Sequence, residues 1–288
     1  MNKGQKYFFI TLIFTFPFVT LLSQSITKEN IENGEKIIGL EFTDAERDSM
    51  QTSLGEQLTN YENIRKVNLS NNVPPAILFN PIPVGFEFPK EQKPVIFSEY
   101  SYAKLPEDIN DLAFYSIGEL AELMRTKQIT STELTKFFLE RLRKHNPTLH
   151  CVITFTEERA MKQAKLTDEE IERGKYRGML HGIPFGVKDL LATKDYKTTW
   201  GSVPFKDQMI EEDATVIKKL EEAGAVLCAK LTMGELAWGD VWFGGMTRNP
   251  WDTTKGSSGS SAGSASSVSA GLLPFAIGTE GSNQRQQH

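Results

Sequence analysis

A segment rich in serine and glycine is the part of the sequence best suited to chemistry. Residues 256–271 contain eight serines, four glycines and three alanines. Such small residues let backbones approach each other closely and leave amide groups free to bind an anion. The apolar run that follows, residues 272–277, is typical of a buried strand. We therefore interpret the segment as part of a structured site rather than as a flexible linker.

One possible site in this segment is a nucleophilic serine. Residues 259–263 match the G-x-S-x-G pattern, which would make Ser261 the nucleophile of an α/β-hydrolase. That fold needs an acidic residue and a histidine later in the chain. After Ser261 there is no aspartate, and only Glu280 and the terminal His288 remain. The sequence therefore disfavours a serine–histidine–aspartate hydrolase.

The second possible construction activates a serine with a lysine. Lys188 and Asp189 form a charged pair at the end of the apolar run 182–187. A lysine at a strand end is usually exposed to solvent, but a lysine that is buried and neutral can act as a base. Both interpretations of Lys188 remain open at the level of composition and pattern.

Composition limits the remaining function classes. The chain has 288 residues, 39% of them hydrophobic and 24% charged, and a formal net charge of -5. These values are typical of a globular protein and give no basic patch for nucleic acid. The two cysteines lie in apolar stretches and the four histidines are scattered, so we expect no disulfide framework, metal centre or cofactor.

The pattern of apolar residues predicts an α/β fold after about residue 111. Two capping boxes, Ser116 with Glu119 and Thr130 with Glu133, predict the starts of two packed helices. Strand-like segments then alternate with helical ones, which predicts a mixed β-sheet flanked by helices on both faces. The less regular residues 26–110 are predicted to form helices followed by an extended connector.

The first 25 residues predict export. Lys3 and Lys6 precede an apolar run over residues 7–22, and Ser23 and Ser25 supply small residues for cleavage. We expect residues 1–25 to be a signal peptide or an N-terminal anchor, residues 26–110 an N-terminal helical and extended region, and residues 111–288 the main domain. The protein is therefore expected to be periplasmic or secreted, with membrane contact only through an uncleaved N-terminal segment.

Several ordered motifs together resemble the amidase signature family, over roughly Tyr115 to Glu280. They begin in the two capped helices and continue through residues 182–189, 213–226, 230–235, 259–264 and 278–280. The resemblance implies the amidase signature fold and the hydrolysis of a carboxamide by a serine–serine–lysine triad. It implies no cofactor, and the expected partner is a small-molecule or peptide amide substrate.

The resemblance also implies roles for individual residues. Lys188 falls on the catalytic lysine of the family, and Ser260 on the bridging serine, which follows a cis peptide bond. The family pattern places the nucleophile near position 284, where this chain has Gln284. Ser282 is the available serine, displaced by two residues, so the implied catalytic set is Lys188, Ser260 and Ser282. Backbone amides before the nucleophile would form the oxyanion hole.

The departure at the nucleophile keeps three hypotheses open. The polar residues after Glu280 and the length of the domain lead us to expect a fold that is incomplete at the C-terminus. The chain is then an amidase represented by its N-terminal part, or an inactive amidase-like product. A glutamine amidotransferase A-type subunit is the third hypothesis, and a signal peptide would count against it because that work is cytoplasmic. The sequence does not specify the oligomeric state.

Overall fold

The computed structural model describes residues 25–280, except residues 71, 72, 74, 75, 78, 79, 92, 95 and 97. The predicted export segment therefore lies almost entirely outside the described residues, as does Ser282. Contacts divide the chain into two compact units, which separate after residue 92. Within the part of the chain that is described, no helix combines the length and the apolar character needed to cross a membrane.

The first unit contains two helices, α1 (Lys28–Ile38) and α2 (Asp44–Lys66). Each begins at a threonine whose side chain caps the helix in a capping box, so the free amides of the first turn are satisfied locally. An ion pair joins the helices, since Arg47 Nη2 lies 2.7 Å from a carboxylate oxygen of Glu35. Hydrogen bonding from Arg47 lowers the pKa of Glu35.

The helices of the second unit surround a small sheet. They are α3 (Ile117–Arg125), α4 (Ser131–Leu149), α5 (Glu157–Glu172), α6 (Thr215–Glu222) and α7 (Ala262–Ser269). The two predicted capping boxes are present at the starts of α3 and α4. A carboxylate from α5 adds a second cap to α4, because Asp168 accepts hydrogen bonds from the backbone amides of Ser131 at 2.6 Å and Thr132 at 3.0 Å.

The sheet is mixed, as predicted. Its strands are β1 (Val152–Phe155), β2 (Pro184–Lys188), β3 (Val226–Leu231) and β6 (Phe275–Ile277), in the order β1-β3-β2-β6. Strand β2 runs parallel to both β3 and β6, whereas β1 is antiparallel to β3. The short strands β4 (Val241–Trp242) and β5 (Gly245–Met246) form a separate hairpin.

Side chains of β3 contribute to two hydrophobic cores, one on each face of the sheet. Val226 and Cys228 belong to the larger core, which includes side chains of α3, α4 and α5. Leu227 belongs to the smaller core, together with Ile217 of α6. Successive side chains of a strand point to opposite faces, so helices cover both faces of the sheet, as predicted.

The cap that Asp168 provides can be tested by mutation. We expect Asp168→Ala to lower the free energy of unfolding of the second unit by about 1–2 kcal/mol, because two amides of α4 lose their acceptor. Urea unfolding followed by tryptophan fluorescence measures this, since all four tryptophans belong to that unit. The control is Glu140→Ala on the exposed side of α4. Equal urea midpoints for the two variants would contradict the prediction.

Candidate active site

Lys188 ends strand β2 and is fully buried. Its Nζ lies 2.8 Å from Ser260 Oγ, 2.8 Å from Thr279 Oγ1 and 3.4 Å from the Thr279 carbonyl oxygen. Burial lowers the pKa of this amine, and the carboxylate of Glu280 opposes the shift in part. Lys188 is thus not the exposed strand-end lysine that the local pattern allowed, because α7 and the residues after β6 close over it.

Ser260 lies just before α7, where the backbone approaches other segments closely. The peptide bond between Gly259 and Ser260 is cis, as the resemblance implied. The amide of Gly234 donates to the Ser260 carbonyl oxygen at 3.2 Å. A Cβ atom added to Gly259 or to Gly234 would collide with the Gly239 carbonyl oxygen. The loop 234–239 therefore packs directly against Gly259 and Ser260.

Ser261 is engaged with the backbone of Thr279. The Thr279 amide donates to Ser261 Oγ at 3.0 Å, and Ser261 Oγ donates to the Thr279 carbonyl oxygen at 3.0 Å. The G-x-S-x-G pattern suggested Ser261 as a nucleophile. In the structure its hydroxyl instead forms hydrogen bonds that join the start of α7 to the residues after β6. Sequence reasoning missed Thr279, although it belongs to the matched segment 278–280.

A second buried lysine, Lys230 on β3, has a different environment. Its Nζ lies 2.8 Å from a carboxylate oxygen of Asp189, and both side chains are fully buried. It also donates to the carbonyl oxygen of Lys197 at 2.6 Å. Burial lowers the pKa of Lys230, while the Asp189 carboxylate opposes the shift and favours the charged form. Lys230 is therefore suited to a structural ion pair, in contrast to Lys188.

The Asp189–Lys230 pair also fixes a loop beside the site. The second carboxylate oxygen of Asp189 accepts from the Thr199 amide at 2.8 Å. Two residues further on, the Gly201 carbonyl oxygen accepts from the Phe243 amide at 3.1 Å. The ion pair thus links β2 and β3 to the loop 198–202, which in turn contacts the residues around the β4–β5 hairpin.

The structure therefore brings together two members of the predicted catalytic set. Lys188 and Ser260 are in hydrogen-bond contact, and we refer to them as the lysine–serine pair. The third member, Ser282, lies outside the described residues. The arrangement can pass a proton between a hydroxyl and a buried amine, which is what activation of a serine nucleophile requires.

Comparisons with known proteins give a consistent result. The sequence profile of the amidase family matches residues 133–283. The A-type subunit of glutamyl-tRNA(Gln) amidotransferase from Coxiella burnetii is 43% identical over 169 residues, which are 57% of this chain and 35% of that protein. Its counterpart from an Azoarcus species is 41% identical over 175 residues. The chain thus spans about a third of the length of the curated relatives it matches.

Solved structures give the same result for the fold. The native peptide amidase of Stenotrophomonas maltophilia has a TM-score of 0.56 and 34% identity, covering 59% of this chain and 37% of that one. Fatty acid amide hydrolase has a TM-score of 0.55 and 27% identity, covering 58% of this chain and 30% of that one. The mixed sheet with its helices therefore matches the architecture of these enzymes.

Mutation of Asp189 tests the structural role of the buried ion pair. We expect Asp189→Asn to lower the free energy of unfolding by about 3–5 kcal/mol, because it leaves the Lys230 ammonium buried without a counter-charge. Urea unfolding measures the change. The matched control is Asp207→Asn, which breaks the exposed pair with Lys197 and should have a much smaller effect, because solvent screens that pair. The prediction is wrong if the two substitutions have similar costs.

Proposed function

The chain belongs to the amidase signature family, and on that premise we propose that it hydrolyses a carboxamide with Lys188 as base and Ser260 as proton relay. The observation that supports this most directly is the 2.8 Å contact between Lys188 Nζ and Ser260 Oγ in a fully buried setting. A lysine can accept a proton only when neutral, and burial lowers its pKa toward that state.

The chemistry of their contacts distinguishes Lys188 from Lys230. Among the described residues, Lys188 forms hydrogen bonds to two hydroxyls and one carbonyl and no ion pair, whereas Lys230 is paired with Asp189. A carboxylate at hydrogen-bond distance would favour the ammonium form and remove the base. This contrast supports Lys188 as the basic member.

We propose Ser282 as the nucleophile. Its hydroxyl attacks the amide carbon while its proton passes to Ser260 Oγ, and the Ser260 proton passes to Lys188 Nζ. The tetrahedral intermediate then collapses as the C–N bond breaks, and the proton on Lys188 returns through Ser260 to the leaving nitrogen. Water afterwards hydrolyses the ester in the same way, which restores the serine and releases the acid.

The comparisons support amides as substrates and favour one second candidate. The solved relatives include a peptide amidase and a fatty acid amide hydrolase, so a peptide or other amide is the proposed substrate class. The identity of 43% to part of an amidotransferase favours, as the second candidate, an A-type subunit that releases ammonia from glutamine. An inactive amidase-like product is the alternative to both.

Export remains part of the proposal and helps to separate the two active candidates. The apolar residues 7–22 would direct the chain out of the cytoplasm, whereas transamidation of charged tRNA takes place inside the cell. Fractionation of expressing cells tests this, because an exported protein is found in the periplasm or medium and a cleaved one begins near residue 26. A full-length cytoplasmic product would favour the amidotransferase candidate.

Covalent labelling of the full chain by a fluorophosphonate tests the proposed catalytic set. We expect the labelling rate to rise with pH through the lowered pKa of Lys188, because the neutral form accumulates as the proton leaves. Lys188→Ala and Ser260→Ala should reduce the rate by roughly 10²–10⁴-fold, the usual contribution of a proton-transfer group. Ser282→Ala should abolish labelling, and the exposed-site control Lys136→Ala should label as the unmodified protein does.

Two results would overturn the proposal. The first is absence of labelling at any pH in folded protein, which would support the inactive product. The second is equal labelling of Lys188→Ala and the unmodified chain, since no lysine base would then be needed. Ammonia release from glutamine and from a panel of peptide and fatty amides would separate the hydrolase from the amidotransferase candidate.

A further inference from the structure

We infer that Thr279 is a positioning residue, whose hydroxyl and carbonyl oxygens hold the two N–H groups of neutral Lys188 and so aim its lone pair at Ser260. The inference rests on the proposed function, because it concerns how the base is oriented. Three oxygen atoms surround Lys188 Nζ among the described residues: Ser260 Oγ at 2.8 Å, Thr279 Oγ1 at 2.8 Å and Thr279 O at 3.4 Å.

The number of donors on Lys188 Nζ depends on its charge, and this number decides which oxygen the lone pair can face. An ammonium group has three N–H donors and can bond all three oxygens, but a neutral amine has two donors and one lone pair. The carbonyl oxygen of Thr279 can only accept, so it must face an N–H. If Thr279 Oγ1 accepts the other N–H, the lone pair faces Ser260, whose hydroxyl then donates to it. That is the orientation in which a proton can move from Ser260 to Lys188.

Thr279 is held in place independently of its side chain. Its amide donates to Ser261 Oγ and its carbonyl oxygen accepts from the same hydroxyl, each at 3.0 Å. Strand β6, which ends two residues earlier, pairs in parallel with β2, with Val187 opposite Ile277. The backbone of Thr279 is therefore anchored by Ser261 and by the sheet. It lies at the same edge of the sheet as Lys188.

The side-chain hydroxyl of Thr279 has a different hydrogen-bond partner from its backbone amide. Within the described part of the chain, its hydrogen-bond partner is Lys188, whereas the contacts to Ser261 use backbone atoms and the Ser261 hydroxyl. Removing the hydroxyl should leave the anchoring intact and free one N–H of Lys188. The amine could then rotate, and its lone pair would face Ser260 for only part of the time.

The test compares Thr279→Val, which keeps the shape and removes the hydroxyl, with Thr279→Ser, which keeps the hydroxyl. The full chain is labelled with ¹³C at lysine Cε, and the Lys188 signal is assigned by its loss in Lys188→Met. Titration of that signal gives the pKa of Lys188 without any turnover. The matched control is Thr135→Val, since the Thr135 hydroxyl is buried without a hydrogen-bond partner among the described residues.

We expect two changes in Thr279→Val: a lower pKa of Lys188 and slower labelling. The pKa of Lys188 should fall by about one further unit, because the ammonium form loses a charge-assisted hydrogen bond that is worth more than the bond to the neutral amine. Fluorophosphonate labelling should nevertheless slow by about tenfold or more at a pH where the lysine is neutral in both proteins. A pKa lower by about one unit would by itself slow that rate by less than tenfold, because general-base catalysis follows only part of the change in basicity. Thr279→Ser should restore both values, and Thr135→Val should alter neither.

The outcomes separate the inference from the proposed function. If Lys188 of the unmodified chain titrates near the ordinary lysine value of about 10.4, the proposed function fails. If its pKa is lowered and Thr279→Val leaves both pKa and labelling rate unchanged, the positioning role alone is overturned. Thermal unfolding verifies that each variant folds; should Thr279→Val not fold, Thr279→Ala and Thr279→Ser make the same comparison.

Discussion

The parallel pairing of β2 with both β3 and β6 is the interaction on which the rest of the site depends. It places the carboxyl ends of β2 and β6 at one edge of the sheet, so that Lys188 and Thr279 meet there. Helix α7 begins beside the same edge and supplies Ser260 and Ser261 from the residues just before it. The contacts of Lys188 thus come from segments that are more than 70 residues away in sequence.

The same pairing separates two lysines electrostatically. Val187 lies opposite Lys230 in the register of β2 and β3, and Lys188 is the next residue along. Since successive side chains of a strand alternate, Lys188 and Lys230 occupy opposite faces of the sheet. One face provides a carboxylate, which stabilises the ammonium form of Lys230. The other provides only neutral oxygens at hydrogen-bond distance from Lys188, so burial lowers the pKa of Lys188 without a paired carboxylate to oppose it at that distance. Two lysines that are both hidden from solvent therefore have different electrostatic surroundings.

Local patterns in the sequence predicted the elements well, because periodicity and capping act over short distances. The capping boxes at Ser116 and Thr130 predicted the starts of two helices, and the succession of strand-like and helical segments predicted the sheet with its helices. The burial of Lys188 required the motifs of a family, since it depends on chain segments that return from far away. The engagement of Ser261 by Thr279 has no local signature at all, and a one-dimensional pattern offered Ser261 as a nucleophile instead.

The close packing around the Gly239 carbonyl oxygen has a consequence for how this protein can diverge. Gly234 and Gly259 each face that oxygen with no room for a side chain, so both positions are closed to substitution unless the loop moves away from Ser260. Between them, Trp238 is exposed and has an ordinary extended backbone conformation, so its side chain is not restricted in this way. The side chain at this exposed position can therefore be exchanged while the backbone contacts of the loop with Gly259 and Ser260 are kept, so the loop can vary in sequence without a change in its path.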